Sequence, residues 1–326
     1  MLRWILRILL WSVGAIVVVL LVGWLLLQRP DIPYATLEAR YANTASRYYD
    51  LPGDVRVHYR DQGNRNGPVI VMIHGFGASL DAWEPWVARL GDRYRVVTLD
   101  LPAHGLTRAP ATYASSLENS AEIVHQVTQR LGLTRFVIAG NSMGGGVSWT
   151  YTLAHPDQVR GLVLVDSVGG MVPGGPRNRN SPLIFQVLGN PIGRALLRNI
   201  DTRALVEPGL RSAYGNAALV TPALVARYVE LSRAPGHRDI ILNSRGGGPR
   251  PPVASRFGEI RVPTLIMHGE ADTVIPVAAG RALAAEIPGS RLILYPGVGH
   301  VPMEQIPNRS AADVASFMAA LDAPPS

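Results

Sequence analysis

Phe136-Val-Ile-Ala-Gly-Asn-Ser-Met-Gly-Gly145 decides how this chain is read. An apolar run of β-favouring residues leads into Gly140-Asn-Ser-Met-Gly144, and a helix-like segment over 146–155 follows. Strand, Gly-x-Ser-x-Gly and helix in that order predict an elbow that lifts a serine hydroxyl clear of the backbone. Gly140 and Gly144 stand where a Cβ would crowd the turn between strand and helix. Once the turn is made, the Met143 N–H lies at the start of the helix and can face a developing oxyanion. The pattern alone is common, and its weight comes from the strand before it and the helix after it. A serine nucleophile also needs a base, and the base needs an acid to orient it.

Working outward, short apolar runs at 69–73 and 95–99 predict strands buried on both faces, and 55–59 alternates as a strand. Helices are expected over 80–90 and over 117–131, the latter closed by Gly132. Beyond the elbow come a strand at 159–165, a strand at 264–267, a helix near 277–287, a strand at 291–295 and a last helix over 310–321. Strands alternating with helices predict an α/β fold with a doubly wound, mostly parallel sheet. Residues 170–258 break that alternation. They read as helical at 183–197 and 222–231, with Gly/Pro-rich edges at 169–176 and 246–252. Nearly ninety residues without structure would be unusual in a compact domain, so this stretch is expected to be a helical cap inserted between two sheet strands. The expected organisation is an anchor over 1–29, a first core segment over 30–169, the cap over 170–258 and a second core segment over 259–326.

Asp272 follows the strand at 264–267, and His300 follows the strand at 291–295 within Gly297-Val-Gly-His-Val-Pro302. Both stand at the carboxyl ends of strands, where doubly wound sheets build their sites. Ser142, Asp272 and His300 occur in the order expected after such an elbow. They are the predicted nucleophile, acid and base. Asp166, also at a strand end, is the rival acid, and Glu270 is expected to bond within its loop. The second oxyanion donor is expected from the loop after the strand at 69–73, His74-Gly-Phe-Gly77, with the Phe76 N–H as candidate. His74 is read as bonding that loop. His104, in Asp100-Leu-Pro-Ala-His-Gly105, is read as part of a structural turn.

Composition narrows the function classes. The 326 residues contain 31 basic side chains, all arginine, for a net charge of +7. The arginines are scattered without interleaved aromatics, so no nucleic-acid partner is expected. With no cysteine in the chain, disulfides, thiol catalysis and Cys-ligated zinc are excluded. The eight histidines show no metal-ligand spacing, so neither metal nor other cofactor is expected. Residues 8–27 are uncharged and rich in Leu, Val and Ile, long enough as a helix to cross a bilayer core. Trp4, Trp11 and Trp24 lie toward its ends, where such rings favour the membrane interface. The stretch is longer than a signal-peptide core, and no Ala-x-Ala site follows. An uncleaved single-pass anchor is expected. Arg3 and Arg7 ahead of it favour a cytoplasmic N-terminus, which in a bacterium places the remaining domain in the periplasm or outside.

Five segments together carry a family resemblance: His74-Gly-Phe-Gly77, Asp100-Leu-Pro-Ala-His-Gly105, Gly140-Asn-Ser-Met-Gly-Gly145, Gly269-Glu-Ala-Asp272 and Gly299-His-Val-Pro-Met-Glu304. The chain resembles the α/β-hydrolase superfamily from about residue 50 to its end. The resemblance implies a serine hydrolase, and within the superfamily it narrows further. Epoxide hydrolases and haloalkane dehalogenases carry aspartate at the elbow, where this chain has Ser142. The Gly-Asn-Ser-Met-Gly-Gly form is similar to carbon–carbon bond hydrolases, but those place Trp after the catalytic His where Val301 stands here. A carboxylate-binding arginine in the cap, such as Arg177 or Arg179, would fit that activity on a dienoic keto acid. The N-terminal anchor resembles that of membrane-bound monoacylglycerol lipases and some bacterial lipases. A small-molecule or lipid ester is the expected substrate. An inactive member serving as a binding protein is the remaining alternative.

Overall fold

A computed structural model of the chain describes residues 2–169, 190–244 and 256–322. Eight strands form one sheet in the order β1-β2-β4-β3-β5-β6-β7-β8. They are β1 (Ser46–Leu51), β2 (Val55–Gly63), β3 (Val69–Ile73), β4 (Arg95–Leu99), β5 (Phe136–Asn141), β6 (Val159–Val165), β7 (Thr264–Gly269) and β8 (Arg291–Tyr295). Only the pairings of β1 with β2 and of β2 with β4 are antiparallel; β4 through β8 run parallel.

The apolar runs have their physical reason in the two cores that flank the sheet. Ile70 and Met72 of β3 enter one core and Val71 and Ile73 the other. Val163 and Leu164 of β6 divide in the same way. A strand alternates faces at every residue, so a strand covered on both sides must be apolar throughout.

The helices are α1 (Leu2–Leu26), α2 (Tyr34–Tyr41), α3 (Glu84–Leu90), α4 (Leu117–Arg130) and α5 (Met143–Ala154), then α6 (Pro191–Leu197), α7 (Arg203–Tyr214), α8 (Pro222–Leu231) and α9 (His237–Ser244), then α10 (Val277–Glu286), α11 (Pro302–Gln305) and α12 (Pro307–Asp322). One core takes α3 and α12, with Trp83 and Trp86 fully buried. The other takes α4, α5 and α10. Helices α6 to α9 lie between β6 and β7 as a helical insertion.

Several boundaries depart from the sequence expectation. Residues 80–90 form a 3-10 turn, Leu80–Trp83, and then α3, because Pro85 at the head of the helix supplies no N–H. Helix α5 begins at Met143 rather than at 146. Its three glycines are poor helix formers, but close packing requires them: Gly144 against the end of β3, Gly145 against Ser167, and Gly146 against Val168 and Leu117. Helix α1 spans Leu2–Leu26, so it takes in Arg3 and Arg7. The sequence pattern did not indicate α2, β1, α7 or α9. In the insertion, 222–231 is helical as expected. The first part of the 183–197 helix, both Gly/Pro-rich edges beyond Gly169, and Arg177 and Arg179 lie outside the described residues.

Buried polar bonds tie the loop after β4 to the rest of the sheet's carboxyl edge. Asp100 Oδ2 accepts from His58 Nδ1 at 2.7 Å and from the Leu106 N–H at 2.8 Å, while Oδ1 accepts from the Leu80 N–H at 2.7 Å. A Cβ on Gly105 would strike that carboxylate at 2.0 Å. His74 donates from Nδ1 to its neighbour Gly75 O at 2.7 Å and accepts the Leu101 N–H on Nε2 at 3.0 Å. Burial pushes its pKa down, in keeping with the neutral tautomer this pattern needs. His74 therefore bonds the loops after β3 and β4 together, as the sequence suggested.

Burial is the largest single influence and would raise the Asp100 carboxyl, but the His58 hydrogen bond and charge, with the Leu106 N–H and further lowering contributions, together outweigh it and bring the pKa to about 2 from the ordinary 3.8. That depression contributes about 2 kcal/mol of stability at neutral pH. The contribution is complete above the unfolded carboxylate's range and is lost as pH falls toward 2. Asp100→Asn is expected to lower stability by about 3 kcal/mol at pH 7, because it breaks a buried pair. Urea denaturation of the full chain in detergent should show that gap closing between pH 4 and pH 2.

Candidate active site

Strand β5 ends at Asn141 and α5 starts at Met143, so Ser142 alone makes the turn. Its backbone stands at φ 54° and ψ −118°, a region that costs a serine on the order of 1–3 kcal/mol. Its N–H donates to Val165 O at 3.0 Å, and its carbonyl accepts from Gly146 and Val168 N–H groups at 3.2 and 3.1 Å. A Cβ on Gly140 would lie 2.1 Å from Gly144 O, and one on Gly144 would lie 2.1 Å from Ile73 O. Both glycines are thus required by backbone packed directly on backbone. Met143 is the first residue of α5, so its N–H has no intrahelical acceptor. Phe76 sits between Gly75 and Gly77, whose φ is 74°, and its ring meets His104 edge-on at 5.6 Å.

Asp272 and His300 lie in the loops after β7 and β8 and are buried. His300 Nδ1 is 2.7 Å from Asp272 Oδ2. Asp272 Oδ1 accepts from the Val274 and Ile275 N–H groups at 2.7 and 2.9 Å. Burial would raise this carboxyl, yet the histidine and these two main-chain donors hold it below its ordinary range. A proton on His300 Nδ1, directed at the carboxylate, leaves the Nε2 lone pair available.

Asp166 follows β6 with a positive φ of 44° and accepts the Gly269 N–H on Oδ1 at 2.8 Å. It makes no hydrogen bond to His300. Burial, and then the adjacent Asp272 charge, push its pKa well above the ordinary value. Glu270 departs from expectation: its side chain points outward and pairs with Arg281 of α10 at 3.7 Å rather than bonding within the loop. That is the cheaper arrangement for a carboxylate at an exposed loop position. His104 is buried and donates from Nδ1 to Pro102 O, 3.0 Å away, within its own turn.

Other residues position these groups and left no mark in the sequence pattern. Asn141 Nδ2 donates to Val165 O at 3.1 Å and to His300 O at 3.0 Å, tying the serine's strand to the histidine loop. A polar side chain closing a buried strand was the available signal. The end of α7 bonds both loops: the His300 N–H donates to Ala213 O at 2.6 Å, and Ser212 Oγ meets Thr273 Oγ1 at 2.7 Å. Gly299 must be glycine there, since its Cβ would lie 2.3 Å from Ala213 O. Glu304 lines a cavity of about 630 Å³ together with Arg60, Asp81, Tyr214 and Arg227. Burial pushes its carboxyl up to about 7.

Comparison with known proteins fits this geometry. Residues 68–306 match the α/β hydrolase fold family. A 2-hydroxy-6-oxononadienedioate/2-hydroxy-6-oxononatrienedioate hydrolase of Klebsiella pneumoniae is 30% identical over 253 residues, covering 76% of this chain and 85% of that protein. The monoacylglycerol lipase abhd6-B of Xenopus laevis is 26% identical over 279 residues, 84% of this chain and 82% of that one. The esterase RhEst1 of Rhodococcus sp. ECU1013 superposes with a TM-score of 0.68 at 25% identity, over 85% of this chain and 100% of the esterase. A serine on a strained strand-to-helix turn, within a mostly parallel eight-stranded sheet, thus accompanies a family match across most of the chain, which belongs to the α/β-hydrolase fold family and is a hydrolase.

Proposed function

We propose that this hydrolase is a membrane-anchored serine enzyme that cleaves carboxylic esters, including those of lipids, through an acyl-enzyme on Ser142. The observation that carries the reading is the His300–Asp272 bond at 2.7 Å, at strand ends beside a serine held at φ 54°. His300 Nε2 takes the Ser142 proton as Oγ attacks the ester carbonyl. Asp272 holds the imidazole in the tautomer that this requires and stabilises the imidazolium that forms. The Met143 and Phe76 N–H groups receive the oxyanion. His300 then protonates the leaving alcohol, and water activated by the same histidine releases the acid. The helical insertion between β6 and β7, α6 to α9, is the cap in this reading, and its shape sets the acyl and alcohol preference.

The anchor reading is supported by α1. Arg3–Leu26 has a mean hydropathy of 2.7 and none of it is buried within the protein. An apolar surface of that size left open to water needs lipid around it. Arg3 and Arg7 at its start favour a periplasmic catalytic domain.

The second reading is hydrolysis of a carbon–carbon bond in a dienoic keto acid, favoured by the 30% identity to the Klebsiella enzyme. Substitution of Val for the expected Trp after His300 weighs against it.

A fluorophosphonate probe is expected to label the full chain in detergent and to fail on Ser142→Ala, whose p-nitrophenyl ester turnover should fall at least about 10⁴-fold. Asp272→Asn should lower kcat by roughly 10⁴-fold, because the amide leaves the histidine in the wrong tautomer. A panel of p-nitrophenyl esters, monoacylglycerols and a dienoic keto acid separates the two readings. Ester kcat/KM at least 100-fold above that for the keto acid supports ester hydrolysis, and the reverse ratio overturns it.

A further inference from the structure

The end of α1 does not leave the bilayer region alone. It is joined to the insertion by bonds between residues some 170 positions apart. Trp24 Nε1 donates to Leu196 O at 2.9 Å. The Asp201 N–H donates to Leu27 O at 2.8 Å, the Arg29 N–H donates to Asn199 O at 2.6 Å, and Gln28 and Ile200 form an antiparallel bridge. Charged groups extend the joint: Asp31 accepts from Arg198 at 3.1 Å and from Arg238 at 2.5 Å, and Arg198 also grips Asp239 at 2.6 Å.

These bonds fix the depth of α6. Trp24 lies two residues before the end of α1, about 3 Å inside it along the axis. Leu196, bonded to that indole, stands at the same level. Ile192 and Leu196 are four residues apart on α6, on one face of the helix, and they are 71% and 50% exposed. Leu205, in the first turn of α7, is 71% exposed as well. Indole rings at the end of a spanning helix mark the headgroup level, and an apolar helix face held there is placed as interfacial helices are.

We propose that the cap is docked in the bilayer interface through Ile192 and Leu196 of α6, and that the enzyme draws amphiphilic esters directly from the lipid against which this face rests. The inference rests on the reading of α1 as a membrane anchor. Helix α7 connects the two ends of the route. It starts just after Asp201 at the anchor joint and ends at Tyr214, beside the Ala213 carbonyl that holds the His300 N–H. Its 12 residues span about 18 Å. An ester entering beside α6 is therefore one short helix away from the histidine. Attachment of the cap to the anchor keeps that entry facing the membrane, where tethering raises the local concentration of substrate.

The chain has no cysteine, so single labels report unambiguously. Full-length Leu20→Cys, Ile192→Cys and Asp157→Cys carry an environment-sensitive fluorophore. Asp157 lies just before β6, at the opposite end of the sheet from the insertion. The proteins are reconstituted in 3:1 phosphatidylethanolamine:phosphatidylglycerol vesicles, with or without lipid spin-labelled near the headgroup. Spin-labelled lipid is expected to remove at least half the fluorescence at positions 20 and 192 and little at 157. Quenching at 20 but not at 192 overturns the docking inference and leaves the anchor reading intact. No quenching at 20 overturns both. Strong label-to-label energy transfer at 192 without quenching assigns the face to a second copy of the chain and also overturns the inference. In the same vesicles, the paired Ile192→Ser and Leu196→Ser variant is expected to hydrolyse vesicle-borne long-chain monoacylglycerol about tenfold more slowly, with turnover of a soluble p-nitrophenyl acetate unchanged within twofold. Equal loss on both substrates, or loss on neither, contradicts it.

Discussion

The site depends on one contact that only glycine permits: the backbone of the turn at 140–144 packed against itself and against β3. A Cβ at Gly140 would meet Gly144 O at 2.1 Å, and one at Gly144 would meet Ile73 O at 2.1 Å and His74 O at 2.5 Å. The ends of β3 and β5 and the start of α5 therefore meet at a single place with no side chain between them. Ser142 takes up the strain that this closeness demands, in a backbone region that serine seldom occupies. Bonds to Val165 O and from Gly146 and Val168 N–H groups hold it there. The same closeness brings the loop carrying Phe76 alongside the start of α5: a Cβ on Gly75 would lie 3.2 Å from Ser142 Cβ. The proposed oxyanion donors and the serine are brought together by one packing event.

Around that point the carboxyl edge of the sheet is held by buried polar groups, and their protonation follows from their partners. Asp100 and Asp166 close neighbouring regions of the same edge, and both are buried. Asp100 accepts from the His58 imidazole and two main-chain N–H groups, so it stays ionised. Asp166 has one main-chain donor and faces the charge of Asp272, so its pKa is pushed up. Burial penalises the charge in both cases, and hydrogen bonding sets the direction. Asp272, with two main-chain donors and the imidazole, is the carboxylate that the local backbone equips to carry charge.

Much of this was open to reading in the sequence wherever burial imposes composition. Strands at 69–73, 95–99 and 159–165 lie where their apolar runs do, because a strand between two cores tolerates few polar residues. β1 escaped notice for the opposite reason. Ser46-Arg-Tyr-Tyr-Asp-Leu51 is an edge strand with mixed exposure, and its pairing with β2 sets its conformation more than its composition does. Helix α2 buries only Leu37, and its place is set by ion pairs such as Arg40 with Glu230 at 2.7 Å. In the proposed site, the strand-end positions of Ser142, Asp272 and His300 were readable because loops there need glycine and leave few chemical side chains to choose among. Ala213 was not readable: it acts through a carbonyl, which every residue has. Glu270 shows the limit of reading by proximity, since two residues of separation along a loop turned it toward Arg281 and solvent.

Two long separations in sequence converge on the insertion. Its α6 end meets the last turn of α1, and its α7 end meets the loops of Asp272 and His300. The insertion is thus held at both ends by hydrogen bonds. A shift of α7 along its axis would have to break the Ala213–His300 bond, the Ser212–Thr273 contact, or the bridge between Gln28 and Ile200. Each net hydrogen bond contributes only about 1 kcal/mol, yet they act on one short helix and must break together for it to slide as a rigid unit.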